Sequence, residues 1–179
     1  MSDISKIKRD IIVDQILDDL KTDLSSLDSV WTTQPGLIVK YAAKQAEAER
    51  VCSDEKDRVD SLSAALYNIV RSARSMNGTK SSESAIEAMV KQIERHFSEL
   101  DPDLNLNITF IQELPEKTEV IARALSVARH NLIQSREMAD LYKGALEGLR
   151  HRRDMVVQAS KKAILDYEIL GAGTFSGKK

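Results

Sequence analysis

The 179-residue chain contains one cysteine, three prolines and seven glycines, and aromatic side chains make up only 4% of it. A lone thiol, Cys52, excludes an internal disulfide and the paired spacing of a zinc ribbon, so a reducing compartment is the default. Little aromatic bulk argues against a large β core and fits helices packed through Leu, Ile, Val and Ala. No run of 18 apolar residues occurs, which excludes a membrane-spanning helix. Met1 leads straight into polar SDISKIKRD with no apolar signal core, so a cytoplasmic location is expected. His96, His130 and His151 each stand alone, without a second ligand at helical spacing, and neither a metal nor another cofactor is expected. No nucleophile with a neighbouring base is recognisable, and the Asp14, Asp18, Asp19, Asp23 run reads as the solvated face of a helix, so an enzyme is not expected. Gly171, Gly173 and Gly177 have no strand before them and no helix after them, and are read as a tail and not as a phosphate-binding loop.

What the chain has is helical periodicity. Hydrophobic residues are 42% and charged residues 30% of it, ordinary for a helical protein. The longest signal runs from Lys117 to Leu170. Ile121, Ala128, Ser135, Tyr142, Leu149, Val156, Ala163 and Leu170 occupy one heptad position, and Leu125, Leu132, Ala139, Leu146, Arg153, Ser160 and Tyr167 the other. Spacings alternating between four and three are those of helices wrapped on other helices. An unbroken helix of this length would run roughly 80 Å at 1.5 Å per residue, so it needs partners along its length. Leu125, Leu132, Tyr142, Leu146, Leu149, Val156 and Tyr167 are the expected oligomerisation residues.

Upstream, the pattern predicts a helix over about 3–29 with Asp3 as N-cap and Ile4, Ile7, Ile11, Ile16, Leu17, Leu20, Leu24 and Leu27 as its apolar stripe. Pro35-Gly36 predicts a turn over 30–36, with Trp31 packing back on a neighbour. A second helix over 37–76 carries Ile38, Tyr41, Gln45, Ala48, Cys52, Glu55, Val59, Leu62, Leu66, Ile69, Ala73 and Met76 at strict heptad spacing, which makes Cys52 a small buried hydrophobe. Residues 77–82 read as a turn. Ser84 and Glu87 have capping-box spacing for a third helix over about 84–100. Residues 103–114 read as an extended connector or partial helix, with Pro115 opening the long helix. The expected fold is therefore all-α, a long-helix bundle with a coiled-coil-like C-terminal helix, oligomeric. Its organisation is an N-terminal helical region over 1–116, a long oligomerisation helix over 117–170 and a flexible tail over 171–179.

Charge is unevenly spread. The net charge is −2, but residues 77–116 carry −5 and residues 117–179 carry +5. Segregation of this kind suits a polyanion partner, although solvated helix faces produce it too. Two basic groups stand out. Arg71 and Arg74, with Lys80 just beyond, end the second helix, and Arg150, Arg152 and Arg153 lie midway along the last. Arg153 falls on the seam, where a lone buried guanidinium is costly unless it faces an anion or water.

The run from Lys143 to Met155, KGALEGLRHRRDM, resembles the C-terminal helix of phage recombination mediator proteins of the UvsY type. The likeness extends to Leu17–Leu24, LDDLKTDL, to Tyr41-Ala-Ala at a helix start, and to Leu66 through Gly78 as a helix end with a basic turn. The resemblance implies a helical mediator that binds single-stranded DNA and assembles as a homo-oligomeric ring through its C-terminal helices. Such a mediator helps load a recombinase onto strands coated by single-strand-binding protein, in the host cytoplasm. It also implies that Arg71 and Arg74 contact DNA; Lys80 in the following loop extends that positive track, and Arg150, Arg152 and Arg153 are the second choice on their charge alone. The acidic stretch from Glu83 to Asp103 departs from the family pattern. The competing expectation is a structural coiled-coil scaffold or adaptor that binds only protein helices.

Overall fold

A computed structural model describes residues 2–22, 27–76, 78, 81–98 and 114–175, with side chains for 7–22, 27–76, 78, 81–98 and 114–170. Among the described residues there are four α-helices and no strand: α1 (Ser2–Leu20), α2 (Leu27–Met76), α3 (Glu83–His96) and α4 (Lys117–Phe175). The chain is all-α, with α2 packed against α4 in a helical bundle. Two compact units divide it, one formed by Met1–Ala48 with Glu137–Lys179 and the other by Glu49–Arg136. The expected connector at 103–114 lies outside the described residues except for its last position, Leu114.

In the second unit three helices share one core. Val59, Leu66 and Val70 of α2, Ile86, Val90 and Ile93 of α3, and Ala122, Leu125, Ala128 and Leu132 of α4 form a single buried cluster, with Cys52 and Leu62 packed against it. Heptad spacing on α2 and α4 presents these positions on one face of each helix, and alanines at 122 and 128 permit close approach. Helix α3 is only 14 residues long, a length at which an isolated helix is marginal in water. Its apolar face and its cap hold it. Ser82 has extended backbone and its hydroxyl accepts from the Ala85 amide at 3.3 Å. The cap thus sits two residues before the expected Ser84, and the helix stops at His96, four residues short of the expected end. Helix α2 ends at Met76, and Gly78 beyond it has φ +68, the left-handed conformation for which glycine is favoured after a helix.

In the first unit, Ile16 of α1, Tyr41 of α2, and Ala145 and Leu149 of α4 are the buried centre, with Ile12, Leu20, Leu37, Tyr142 and Leu146 around them. Gly148 contributes by absence of bulk, since a Cβ there would meet both Leu20 methyls at 3.0 Å.

Helix α1 departs from the expected pattern. It begins at Ser2, so Asp3 lies within it, and it ends at Leu20, with α2 beginning at Leu27. Its buried face is Ile12, Ile16 and Leu20, spaced by four, whereas Ile7 and Ile11 are exposed. The expected turn at 30–36 is instead continuous α2, with Pro35 inside the helix. An interior proline removes one backbone bond and crowds the carbonyl four residues back, at a cost of about 3 kcal/mol or more. Packing on both sides of Pro35 offsets it. Val30, Gln34 and Tyr41 are buried and Leu37 half-buried, at heptad spacing across the proline, and Pro35 itself faces outward. The Gln34 amide donates to the Leu149 carbonyl at 2.6 Å, and Thr32 and Thr33 return their hydroxyls to the carbonyls of Asp28, Ser29 and Val30. Trp31 stays 45% exposed, lining a small cleft with Val30, Gln34, Arg153 and Val156.

Helix α4 extends through Phe175, past the expected end at Leu170 and into the expected tail. Residues 176–179 lie outside the described ones.

Candidate functional site

The seven expected oligomerisation residues of α4 do not share one environment. Leu125, Leu132, Leu149 and Val156 are buried within the chain itself, and Tyr142 and Leu146 pack beside the first unit's core. Tyr167 alone of the seven is open, at 81% exposure. Up to Val156 these seam residues are therefore covered by this chain's own helices. From Lys161 to Leu170 every residue is exposed, including Ile164, Leu165, Tyr167, Ile169 and Leu170.

The basic groups also separate. Arg71 is exposed on α2, while Arg74, one turn on, is half-buried with its Nε enclosed and unpartnered. Arg74 lies in the last turn of α2, where a cation is favoured by the helix dipole. Lys80 lies outside the described residues. On α4, Arg150 is exposed, and Arg153 points out and reaches its neighbour Asp154 at 2.9 and 3.1 Å. Arg152 is the buried one, 8% exposed. The heptad count places Arg153 on the seam because it carries one fixed register to the end of the helix. The buried line in fact runs Ala145, Leu149, Arg152 and Val156, one residue earlier at every second position. Partial burial at Tyr142 and then full burial at Ala145 shortens a spacing from four to three, as a three-residue insertion in the heptad pattern does.

Arg152 holds the end of α1. Its Nη1 donates to the Asp19 carbonyl at 2.9 Å, satisfying one of the last, otherwise unbonded carbonyls of that helix. The Asp19 carboxylate in turn accepts from Lys40 Nζ at 2.6 Å and Tyr41 Oη at 2.7 Å. Lys44 Nζ stands 5.8 Å from the Tyr41 ring centre and 5.6 Å from that of Tyr142, within cation–π range. The hydrogen bonds from Lys40 and then Tyr41 hold the Asp19 carboxyl below its ordinary value, while burial and the bond to Asp19 push the Tyr41 phenol up. Sequence inspection misses this cluster, since Asp19 sits in an acidic run and its partners lie 21, 22 and 133 positions away.

A depressed folded carboxyl contributes stability that is complete above its ordinary value of 3.8 and is lost as pH falls through the lower folded value. Asp19→Asn is therefore expected to melt at a lower temperature than the parent at pH 6, with the gap closing as the buffer is taken below pH 4. Thermal melts by circular dichroism at both pH values check this, and a gap unchanged by acid would remove Asp19 as an ionised anchor.

In the second unit, Arg129 meets Glu94 at 2.7 Å, yet burial outweighs that attraction and pushes the Glu94 carboxyl up. Among the described residues no group of three or more His, Cys, Asp or Glu is placed to hold a metal ion, and no helix is long and apolar enough to cross a membrane. Asp14 and Asp18 are exposed, in keeping with a solvated face, and Asp23 lies outside the described residues. An open cleft of about 770 Å³ between α1 and α4 is lined by Val13, Leu17, Leu141 and Gly144 and by the charged residues Arg9, Asp10, Glu137 and Asp140. Its walls are mainly apolar, and across it Arg9 and Glu137 stand 3.9 Å apart as an exposed ion pair. Comparison with protein-family models, curated proteins and solved structures found no match.

Proposed function

We propose that the protein is a non-enzymatic recombination mediator, a homo-oligomeric helical protein that binds single-stranded DNA and helps load a recombinase onto strands coated by single-strand-binding protein. The reading rests on the sequence resemblance. The observation that supports it is that each resembled basic segment offers an exposed arginine, Arg71 on α2 and Arg150 and Arg153 on α4. Lys143 is also exposed and shares the outer face of α4 with Arg150, seven residues on. With aromatics at 4% of the chain, contact is through phosphates with little base stacking, so affinity is tolerant of sequence and sensitive to salt. Repetition of a weak site across copies raises affinity by avidity.

The second reading, a scaffold or adaptor that binds only protein helices, is supported by the uncovered apolar residues of α4 beyond Lys161. Fluorescence anisotropy with a labelled oligonucleotide across a salt series separates the two. The mediator reading predicts log affinity falling linearly with log salt, and a flatter slope in Lys143→Ala/Arg150→Ala/Arg153→Ala or in Arg71→Ala at unchanged helicity. The more affected variant identifies the contacting helix. Absence of binding at low salt would remove DNA as a partner and leave the scaffold.

A further inference from the structure

We propose that the open end of α4, from Ser160 to Leu170, pairs antiparallel with the same segment of a second copy about a two-fold axis near Ile164 and Leu165. This deepens the reading of the protein as a homo-oligomer and rests on it for assembly alone, independently of DNA.

The need for a cover comes from exposure. Ile164 is 59%, Tyr167 81% and Leu170 72% exposed. At 100° per residue, Ser160, Ala163, Ile164, Tyr167 and Leu170 fall within one 120° arc of the helix. That arc continues the buried line through Val156, so the seam used inside the chain runs on, uncovered, past it.

Charge selects the occupant and its direction. Lys161 and Glu168 lie on one flank of the arc, and Lys162 and Asp166 on the other. Two antiparallel copies bring like flanks together, with one order reversed. Lys161 then meets Glu168 of the second copy, and Lys162 meets Asp166 of the second copy, each contact occurring twice by symmetry. A parallel pair brings unlike flanks together at equal height. Both lysines of each copy would then crowd at one level and both acids at another, which is repulsive.

Size selects the same arrangement. About the same axis, Ala163 faces Tyr167 of the second copy and Ser160 faces Leu170 of the second copy, a small side chain opposite a large one in each layer. In these two layers, which flank Ile164 at the axis, such alternation fills space without strain. A parallel pair would put Tyr167 on Tyr167 in one layer and Ala163 on Ala163 in another, crowding the first and leaving the second hollow. An isologous contact closes at two copies, so the ring implied by the resemblance requires a further, different contact.

The test uses the full chain carrying Cys52→Ser, studied by sedimentation equilibrium up to about 100 µM, because a contact this short is smaller than a standard interface. The parent is expected to associate reversibly into pairs of the 20.0 kDa chain. Lys161→Glu/Lys162→Glu and Asp166→Lys/Glu168→Lys are each expected to weaken association at least about ten-fold, at unchanged helicity because all four sites are exposed. The variant with all four changes is expected to pair again. Direction is read by oxidation: chains with Ser160→Cys and chains with Leu170→Cys, mixed, are expected to form the mixed disulfide. A monomeric parent, charge variants that associate like the parent, or Ser160→Cys joining itself in preference would each overturn the pairing. Pairing without DNA binding keeps this inference and retires the mediator reading. DNA binding by a chain that stays monomeric does the reverse.

Discussion

Replacing Leu149 by aspartate is expected to unfold the first unit rather than merely to separate one copy from another. Leu149 is fully buried between Ile16 of α1, Tyr41 of α2 and Ala145 of α4, and its carbonyl also receives the Gln34 amide. Loss of a buried leucine side chain alone removes about 2–5 kcal/mol. A carboxyl placed there must either stay protonated or open the core to water, adding further cost. Against a total stability of about 5–15 kcal/mol this is a large share. A fall in melting temperature of about 10 °C or more is expected for a chain of this size, with loss of helical signal where the first unit melts. Tyr167→Asp provides the contrast. At 81% exposure it should leave the melt unchanged and reduce association only. A Leu149→Asp chain that melts like the parent but sediments as a smaller species would show that this stretch of the seam lies between copies.

The second large effect is expected at Ile93. Helix α3 depends on three buried side chains, Ile86, Val90 and Ile93, and Ile93 has no exposed surface. Ile93→Ala leaves a cavity between α2 and α4 that rigid long helices cannot close, so a loss of about 2–5 kcal/mol is expected. Because so short a helix has little stability of its own, the first consequence should be release of α3. Amide exchange in residues 83–96 is expected to accelerate before that of α2 or α4. Uniform acceleration across all three helices would mean that α3 is held as firmly as the helices it covers.

Much of this architecture is legible in the periodicity. The stripe on α2 predicts Tyr41, Val59 and Leu66 as buried, and the seam on α4 predicts Leu125, Leu132, Leu149 and Val156, because a heptad repeat commits one helix face whatever covers it. What covers it is not legible. Leu149 reads identically whether its partner is Tyr41 of the same chain or another copy, which is why intrachain packing is open to reading as an oligomer interface. Pro35 misleads for a related reason, since its local cost is offset by Val30, Gln34 and Tyr41 touching distant residues. The register step that buries Arg152 in place of Arg153 depends on where α1 ends, and its carbonyl partner at Asp19 is 133 positions away. The exposed cations are legible as cations, but exposure itself, which separates Arg150 and Arg153 from Arg152, is a property of the packed helices.

Helix α4 changes character along its length, buried in the core of its own chain up to Val156 and exposed from Lys161 to Leu170, where the proposed pairing would cover it. Hydrogen–deuterium exchange along α4, measured at several protein concentrations, separates the two stretches. Strong protection is expected over 118–156, independent of concentration, and weak protection over 161–170 that rises as the protein is concentrated. Protection over 118–156 that fell on dilution would place the whole seam between copies, and protection over 161–170 indifferent to concentration would leave that end of the helix without a second copy; either result contradicts the account.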